Sequence, residues 1–140
     1  HESELKALAQ AALPSPYADI CMQSQDTFVQ AIYQACVPHY AAGRICLLGD
    51  AGALASPVST AGALKAMDDA LSLAQALTPA GDLDAELMAW SDTRCAEGNY
   101  LSRFGQQRAR AMILQDKDWG GMDADSFTAW FAAVNTLDEG

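Results

Sequence analysis

Gly49-Asp50 and Ala61-Gly62 are the two short stretches whose residue types and spacing could do chemistry. The Asp50 carboxylate can accept hydrogen bonds from the hydroxyls of a polyol or a ribose, and Gly49 lets a backbone or a ligand come close. An alanine-rich helix is predicted to begin at Ala61-Gly62. The free N–H groups and the positive dipole end of its first turn favour an anion or a carbonyl that gains negative charge. One loop therefore presents an acceptor and a cluster of donors.

The elements on either side of this loop are predicted to position it. RICLLG, residues 44–49, is a short continuous apolar run, as expected of a strand covered on both faces of an α/β sheet. Ligands of open α/β sheets bind beyond the carboxyl ends of strands, where Gly49-Asp50 lies. Over residues 62–77 polar side chains recur every three or four positions, which predicts a helix with a wide, mostly buried apolar surface. A simple turn is the alternative interpretation of Asp50, because a strand, a Gly-Asp turn and a helix occur in many α/β proteins.

Upstream of the loop the sequence predicts one helix and one strand. Leucines and alanines at helical spacing place a helix over residues 2–12, which ends before Pro14 because proline cannot continue it. A loop containing Pro16 is expected to follow. Alternating β-branched and aromatic residues over 26–36 predict a strand with one face more polar than the other.

Downstream of the loop two more helices are predicted. TPAG at 78–81 breaks the chain, and Asp82 can cap a long helix whose first turn carries acids of the right sign for its dipole. Gly98 and Gly105 lie seven residues apart and share a face on which a neighbour can approach closely. A final amphipathic helix is predicted over 125–137. The predicted inner stripe of the long helix comprises Leu83, Leu87, Trp90, Arg94, Leu101, Phe104 and Ala111.

The composition limits the class of partner. The chain has 140 residues, about one domain, and 51% of them are hydrophobic, so it can bury a core. A net charge of −10 with eight scattered Lys and Arg residues argues against a nucleic-acid surface and an anionic membrane. No apolar run approaches the roughly 20 residues of a membrane-spanning helix and no signal peptide is visible, so we expect a soluble, cytoplasmic protein.

The cysteines and His39 show no metal-ligand spacing. The cysteines at 21, 36, 46 and 95 lie far apart without a C-x-x-C pair, so buried free thiols are expected and no metal site is predicted. His39 has no visible Cys or Asp partner.

These elements predict an α+β, mostly helical fold with about four helices and two or three strands. So few strands cannot form a stable sheet with both faces covered, and the rest of that sheet is expected to be missing from the chain. The sequence begins at His1 rather than at Met, which suggests a processed product or a fragment with a missing N-terminal partner.

The loop resembles a known flavin-binding motif. GRICLLGDAG followed by SPVSTAGALKAMDDALSLAQAL is similar to the second flavin-binding motif of FAD-dependent aromatic monooxygenases of the para-hydroxybenzoate hydroxylase type. That pattern is G-R-x-x-L-x-G-D-A-A-H, a proline, a glycine-containing loop and a helix with D-A-x-x-L-A-x-x-L. The matching positions are Gly43, Arg44, Leu47, Gly49, Asp50, Ala51, Pro57, Gly62, Asp69, Ala70, Leu73, Ala74 and Leu77. The form P-x-x-x-A-G-x-x-K-A-x-x-D-A is most similar to the branch that contains 2,6-dihydroxypyridine hydroxylase.

The resemblance implies a C-terminal fragment of an FAD/NAD(P)-binding fold of that type. Residues 1–42 would end a substrate-domain segment, residues 43–78 would form the second FAD-binding motif and residues 79–140 the C-terminal helices. The implied enzyme uses FAD and NAD(P)H to hydroxylate an aromatic or hydroxypyridine-like ring, and the chain alone would be inactive. Its partners would be an aromatic substrate and the missing N-terminal FAD-binding portion with its G-x-G-x-x-G Rossmann unit. A homodimer is a further expectation.

The same resemblance implies the site residues. Asp50 would hydrogen-bond the ribityl chain of FAD, residues 57–64 would lie against the isoalloxazine, and the following helix would point its dipole at flavin N1 and the C2 carbonyl. The implied cofactor-binding residues are Gly49, Asp50, Pro57, Thr60, Ala61, Gly62, Ala63 and Leu64. No catalytic residue and no metal ligand is assigned. The sequence departs from the family pattern at Gly52-Ala53, where Ala-His is usual, at Ser59 and at Leu64.

Other polar and aromatic side chains are given structural roles. Lys65 and Asp69, four residues apart, are predicted to pair on the helix surface, solvated or structural rather than bound to a cofactor. Arg94 is expected to reach a carboxylate or a backbone carbonyl as an interior tether. The tryptophans at 90, 119 and 130 are expected to anchor the core. A second interpretation of the whole chain is a noncatalytic helical module that serves interaction or oligomerisation.

Overall fold

The fold is mostly helical, with four very short strands. The computed structural model describes residues 1–136. The helices are α1 (Glu2–Ala12), α2 (Ser15–Gln23), α3 (Gly62–Ala76), α4 (Leu83–Ala109) and α5 (Ala124–Val134), and the strands are β1 (Ala35–Cys36), β2 (Ala41–Ala42), β3 (Ile45–Cys46) and β4 (Ala53–Leu54). The α+β, mostly helical class predicted from the sequence is confirmed. Two compact units divide the chain, one over His1–Ala31 and one from Ile32 onward.

The first unit is a pair of packed helices, α1 and α2. α1 has the predicted bounds, and an ion pair of 2.7 Å joins Lys6 Nζ to Glu2 Oε1 one turn apart. The predicted loop around Pro16 is wrong, because α2 begins at Ser15 and Pro16 lies in its first turn. The N–H that proline lacks would have no intrahelical partner at this position, so the residue is tolerated there.

The predicted strand over residues 26–36 is wrong for most of its length. Only β1 is extended and paired, antiparallel to β4, with Ala35 opposite Leu54 and Cys36 opposite Ala53. Phe28, Val29 and Tyr33 are 69–77% exposed. Strand propensity reflects packing against neighbouring strands, and the described residues offer this segment none beyond β4.

The RICLLG segment is not a covered strand. β3 contains only Ile45 and Cys46 and pairs with β2 in a hairpin, in which Gly43 adopts the positive φ of 58° that the turn requires. Ile45 is 73% exposed. A strand covered on both faces needs parallel neighbours, and the sheets within residues 1–136 are two antiparallel pairs.

α3 has the predicted length but not the predicted burial. It ends at Ala76, one residue before the predicted end, yet its fully buried residues are Lys65 and Asp69. Leu64, Met67 and Leu71 are 58–64% exposed, so the predicted mostly buried apolar surface is wrong for the described residues. The helix therefore turns its charged side inward.

The core of the second unit forms where α4 packs on the strands. Tyr40, Ala53 and Trp90 are at most 5% exposed, and the Tyr40 and Trp90 rings meet edge to face with centroids 6.1 Å apart. Gly98 and Gly105 of α4 allow the close approach predicted for them: a Cβ on Gly98 would overlap the Tyr40 hydroxyl, and one on Gly105 would lie 3.2 Å from Ser56 Cβ.

α4 is capped as predicted, but its buried face differs from the predicted inner stripe. The Asp82 side chain accepts hydrogen bonds from the N–H groups of Asp84 and Ala85. Leu87, Trp90 and Arg94 of the predicted stripe are buried, whereas Leu83 is exposed and the members beyond Arg94 are only partly covered. Small residues replace them on the buried face, namely Ser91, Gly98, Ser102 and Gly105.

The last elements follow a π-helical turn over Arg110–Leu114. α5 starts one residue before its predicted start, with a capping box between Asp123 and Ser126, and the predicted terminal residue Leu137 lies outside the described residues. Trp119 and Trp130 pack edge to face with centroids 4.9 Å apart. Trp119 is nevertheless 47% exposed, so its predicted role as a core anchor is wrong, while Trp90 has that role.

Candidate functional site

Gly49 and Asp50 lie in a 3₁₀ turn over Gly49–Ala51, which begins three residues after the end of β3. Gly49 is buried with φ +57°, a conformation that side chains with a Cβ rarely adopt. A Cβ at this position would also lie 3.2 Å from the Cβ of Ala66 on α3. Glycine is therefore required both by the backbone conformation and by the close contact with α3.

Two side chains of α3 bind the backbone of this turn. The Gly49 N–H donates to Asp69 Oδ2 at 2.9 Å, and the Gly49 carbonyl accepts from Lys65 Nζ at 2.7 Å. Asp69 is 0% and Lys65 3% exposed, so these hydrogen bonds are shielded from water. The N–H and the carbonyl of Gly49 are thus both bonded to charged side chains. Hydrogen bonds to charged groups are shorter and stronger than those between neutral groups.

Lys65, Asp69 and Arg94 make up a buried set of charges, the Asp69 cluster. Asp69 Oδ2 lies 2.8 Å from Lys65 Nζ, and Asp69 Oδ1 lies 2.7 Å from Arg94 Nε on α4. Arg94 Nη1 also pairs with the half-exposed carboxylate of Glu97. The Arg94 tether predicted from the sequence is confirmed. The predicted pairing of Lys65 with Asp69 is confirmed, but its predicted place on the helix surface is wrong, because the pair is buried against the turn.

Asp50 presents its carboxylate to solvent. The residue is exposed, and within residues 1–136 its side chain has no hydrogen-bond or ion-pair partner. Its main chain belongs to the turn that Lys65 and Asp69 hold. An acceptor that is free at its tip and fixed at its backbone can receive donors from a ligand without first giving up a partner.

The second part of the predicted site is a strained loop over residues 56–61. Ser56 caps a 3₁₀ turn over Pro57–Ser59, accepting from the Val58 N–H at 3.4 Å. Thr60 follows with φ +60°, and its hydroxyl donates to the Ser59 carbonyl at 2.7 Å. A β-branched residue in the left-handed region is an outlier, and such strain concentrates at ligand sites.

α3 begins at this loop with its first turn open. Ala61 occupies the N-cap position and no side chain caps the helix, so the N–H groups of Gly62, Ala63 and Leu64 lack an intrahelical partner. A Cβ on Gly62 would meet nothing within 4 Å, and Ala63 and Leu64 are exposed. Free donors and the positive end of the helix dipole therefore face open space.

The predicted site residues thus fall into two clusters attached to the same helix. Gly49 and Asp50 lie in the turn bonded to the second and third turns of α3, and the others lie in the strained loop and the first turn. Sequence reasoning did not identify Lys65 and Asp69 as parts of this arrangement. A signal was present, since Lys65 and Asp69 form an i, i+4 pair of opposite charges on this helix.

Tyr40 closes the buried side of the Asp69 cluster. Its ring lies between Gly52 and Gly98, at each of which an added Cβ would overlap it, and Lys65 Nζ lies 4.7 Å from the ring centroid. The Tyr40 N–H donates to Ser91 Oγ at 2.9 Å. Burial raises the pKa of the Tyr40 phenol above 10.0, against the opposing effect of the Lys65 ammonium. The Tyr40 phenol therefore stays neutral and forms a neutral wall, meaning an uncharged ring surface that encloses the Lys65 ammonium.

Other residue types contribute no further site within residues 1–136. No group of three or more His, Cys, Asp and Glu side chains is placed to hold a metal ion there. All four cysteines are free thiols, but their predicted burial is wrong, because Cys36 is exposed and the other three are only partly buried. His39 is exposed. None of the helices in the described part of the chain is long and apolar enough to cross a membrane.

Known proteins are similar to this chain in sequence. The chain is 32% identical over 100 residues to a 2,6-dihydroxypyridine 3-monooxygenase of Paenarthrobacter nicotinovorans, a match over 71% of this chain and 25% of that protein. It is 38% identical over 74 residues to an FAD-dependent monooxygenase of Aspergillus terreus, a match over 46% of this chain and 17% of that protein. No protein-family model matches.

A solved structure agrees with the sequence relatives. The 2,6-dihydroxypyridine-3-hydroxylase from Arthrobacter nicotinovorans superposes with a TM-score of 0.74 at 26% identity, over 86% of this chain and 30% of that one. The chain therefore spans about a quarter of the length of the 2,6-dihydroxypyridine 3-monooxygenase. It spans under a third of the length of the solved hydroxylase. By sequence and by fold, the chain is similar to one part of the FAD-dependent aromatic monooxygenases, which supports its identification as a fragment of such a protein.

Proposed function

We propose that the natural protein that carries this chain is an FAD-dependent monooxygenase that uses NAD(P)H to hydroxylate an aromatic or hydroxypyridine-like ring. This chain would supply the ribityl and isoalloxazine side of the FAD site. The relatives named as 2,6-dihydroxypyridine 3-monooxygenase and FAD-dependent monooxygenase support the reaction class. One observation carries the proposal. Side chains of α3 bind the Gly49 backbone in the Asp50 turn, and the N-terminus of the same helix has no side-chain cap.

The free polar groups fit the flavin they would hold. The unpaired Asp50 carboxylate can accept hydrogen bonds from ribityl hydroxyls, while the N–H groups of Gly62, Ala63 and Leu64 can donate to the ring carbonyl and nitrogen that gain charge on reduction. Within residues 1–136, no side chain has to be displaced from either position. When bound, FAD supplies the two-electron redox chemistry and the oxygen activation that such a hydroxylation needs.

The contribution of this chain would be binding and electrostatics rather than proton transfer. The positive end of the α3 dipole favours negative charge at its N-terminus, by about 0.3–1 kcal/mol for a charge near an exposed helix end. Pro57 and Thr60 would shape the loop that lies against the ring, with the left-handed Thr60 fixing the path into Ala61. No residue of this chain is assigned as an acid or base.

The exposed apolar face of α3 gives the rest of the protein a role in the proposal. Leu64, Met67 and Leu71 are more than half exposed on a helix whose charged face is buried. The N-terminal FAD-binding portion and the remaining sheet would cover that face, and a homodimer is a further candidate assembly. We place the protein in the cytoplasm, where free thiols such as its four cysteines stay reduced.

Flavin binding by the purified natural protein tests the proposal. We expect absorption bands near roughly 370 and 450 nm from bound flavin, and oxidation of NAD(P)H that increases with a hydroxypyridine or a phenol. Asp50→Ala should weaken FAD binding, whereas Asp68→Ala, an exposed acid on α3, should not. A colourless protein that binds no added FAD would refute the proposal. A colourless, stable oligomer would instead favour a noncatalytic assembly module, which the exposed α3 face also allows.

A further inference from the structure

The Asp69 cluster lies behind the Asp50 turn rather than in front of it. Lys65 Nζ is bonded to the Gly49 carbonyl and to Asp69 Oδ2, and its third side faces the Tyr40 ring. Its side chain is 2% exposed. Two of its three N–H donors are therefore bonded and the third side is enclosed by the ring, so Lys65 supports the turn from behind, although it lines a 490 Å³ groove between α3 and α4.

The cluster holds more charge than a turn needs for stability. Two cations and one carboxylate are buried together, and burying ion pairs often stabilises a fold no better than apolar packing would. The arrangement does restrict position, because Gly49 N–H and C=O are bonded to opposite partners that are themselves bonded to each other. Arg94 then ties the cluster to α4.

We propose that Lys65 is a positioning residue for the flavin: by holding the Gly49 carbonyl it sets the direction of the Asp50 carboxylate, and its buried charge raises the flavin potential. The inference rests on the proposed flavin site. It adds that residues without contact to FAD control how tightly the cofactor binds. Asp69 and Arg94 support Lys65, Asp69 by fixing the Gly49 N–H and Arg94 by fixing Asp69.

Lys65→Met in the natural, full-length protein tests this role. Methionine is uncharged and of similar length, and the variant keeps the Gly49–Asp69 and Asp69–Arg94 bonds. We expect the Kd for FAD, measured by quenching of flavin fluorescence, to rise by about tenfold. This rise corresponds to the loss of one hydrogen bond to a charged group, the bond from Lys65 to the Gly49 carbonyl. The midpoint potential of the bound flavin should fall, because a nearby positive charge that favours the reduced, more negative form is removed.

Ser72→Ala is the matched control for lost stability. Ser72 lies on the same helix and accepts the Trp90 indole N–H at 3.0 Å, so its removal leaves a buried donor without a partner and lowers Tm. It has no contact with Gly49. If Lys65 were merely structural, both variants would change FAD affinity in proportion to their loss of Tm, and that result would overturn the proposal.

A double-mutant cycle with Asp50→Ala tests whether Lys65 acts through Asp50. We expect Lys65→Met to have little further effect on FAD affinity once Asp50 is alanine. Independent, additive effects would overturn the proposed route. If Lys65→Met does not fold, Gly49→Ala disturbs the same turn while the Asp69–Arg94 pair remains, and unchanged FAD affinity in that variant would also overturn it. A wild-type protein that binds no FAD would refute the proposed function itself, which separates the two failures.

Discussion

α3 and α4 pack against each other, but α3 fully buries only Lys65 and Asp69, whereas α4 buries apolar and small side chains beside its one buried charge, Arg94. The covered stripe of α4 combines Leu87 and Trp90 with small residues that admit the strands. On α3 the fully buried positions are Lys65 and Asp69. Leu64, Met67 and Leu71 are more than half exposed, while Leu73 packs partly against the core. α4 therefore finds its packing partners within the described residues. α3 instead directs Lys65 and Asp69 at the Asp50 turn and leaves part of its apolar face exposed.

This difference shows that the charged groups that support a candidate cofactor loop can be buried behind it and need not lie at its surface. The free carboxylate of Asp50 is the exposed end of an arrangement whose other charges are buried behind it. Buried polar groups fix a backbone position only if each is satisfied. In the Asp69 cluster both carboxylate oxygens are used, one toward Lys65 and Gly49 and one toward Arg94.

Asp69→Asn should have the largest effect on α3. The substitution leaves Lys65 buried without a counter-charge and Arg94 with only the half-exposed Glu97, and breaking a buried ion pair in this way costs about 3–5 kcal/mol. Urea unfolding of the 140-residue chain measures this loss. Asp68→Asn, the exposed neighbour on the same helix, should change the free energy of unfolding by less than about 0.5 kcal/mol. Equal losses would mean that the Asp69 charge is solvated.

Truncation of one leucine on each helix tests the contrast directly. Leu87→Ala removes a side chain that is 4% exposed and should lower the free energy of unfolding by about 2–4 kcal/mol. Leu71→Ala removes one that is 58% exposed, so the loss in the 140-residue chain should stay below about 1 kcal/mol. Comparable losses would show that the outer face of α3 is covered in the chain itself, and the assignment of that face to the rest of the protein would then be wrong.

Gly98→Ala tests the close approach of α4 to the strands. The new Cβ would overlap the Tyr40 hydroxyl and lie 2.9 Å from Ala53 Cβ, and overpacking of this kind costs about 1–3 kcal/mol. Gly62→Ala, where a Cβ meets open space, is the matched glycine control and should not destabilise the chain. Because the nearest obstacle is the hydroxyl, Tyr40→Phe should recover part of the loss. A Gly98→Ala chain with unchanged Tm would contradict the packing described here.

Local patterns predicted the helices better than they predicted what the helices bury. The bounds of α1 and α3 follow from a 3.6-residue period and nearby breakers, which need no partner to be recognised. The strand over 26–36 failed because strand pairing depends on non-local neighbours, and among the described residues only β4 pairs with part of this segment. The burial of α3 failed for a different reason: a helical pattern places apolar residues inside, and it contains no information that the Gly49 backbone requires charged partners.

The same limit applies to the candidate site. Asp50 and the start of α3 could be predicted because their residue types stand at recognisable spacings in one continuous stretch. The contacts that hold them join Gly49 to Asp69 and Asp69 to Arg94, 20 and 25 residues apart in the chain. The Arg94 tether was predicted from a lone charge on an apolar stripe, but its partner could be identified only from the structure.

Tyr40→Phe should have the smallest effect and the most specific one. The Tyr40 hydroxyl is buried without a hydrogen-bond partner within residues 1–136, so its removal should change the free energy of unfolding near pH 7 by less than about 1 kcal/mol. Burial raises the pKa of this phenol above 10.0, so the unfolded chain loses the proton first as the pH rises. The wild-type chain should therefore lose stability above about pH 10, and the Phe variant should lose less. Tyr100→Phe, at a tyrosine that is 47% exposed, is the control and should leave the alkaline dependence unchanged. Parallel stability curves for wild type and Tyr40→Phe above pH 10 would mean that the phenol ionises as readily in the folded chain as in water, and Tyr40 would then not be the neutral wall that encloses the Lys65 charge.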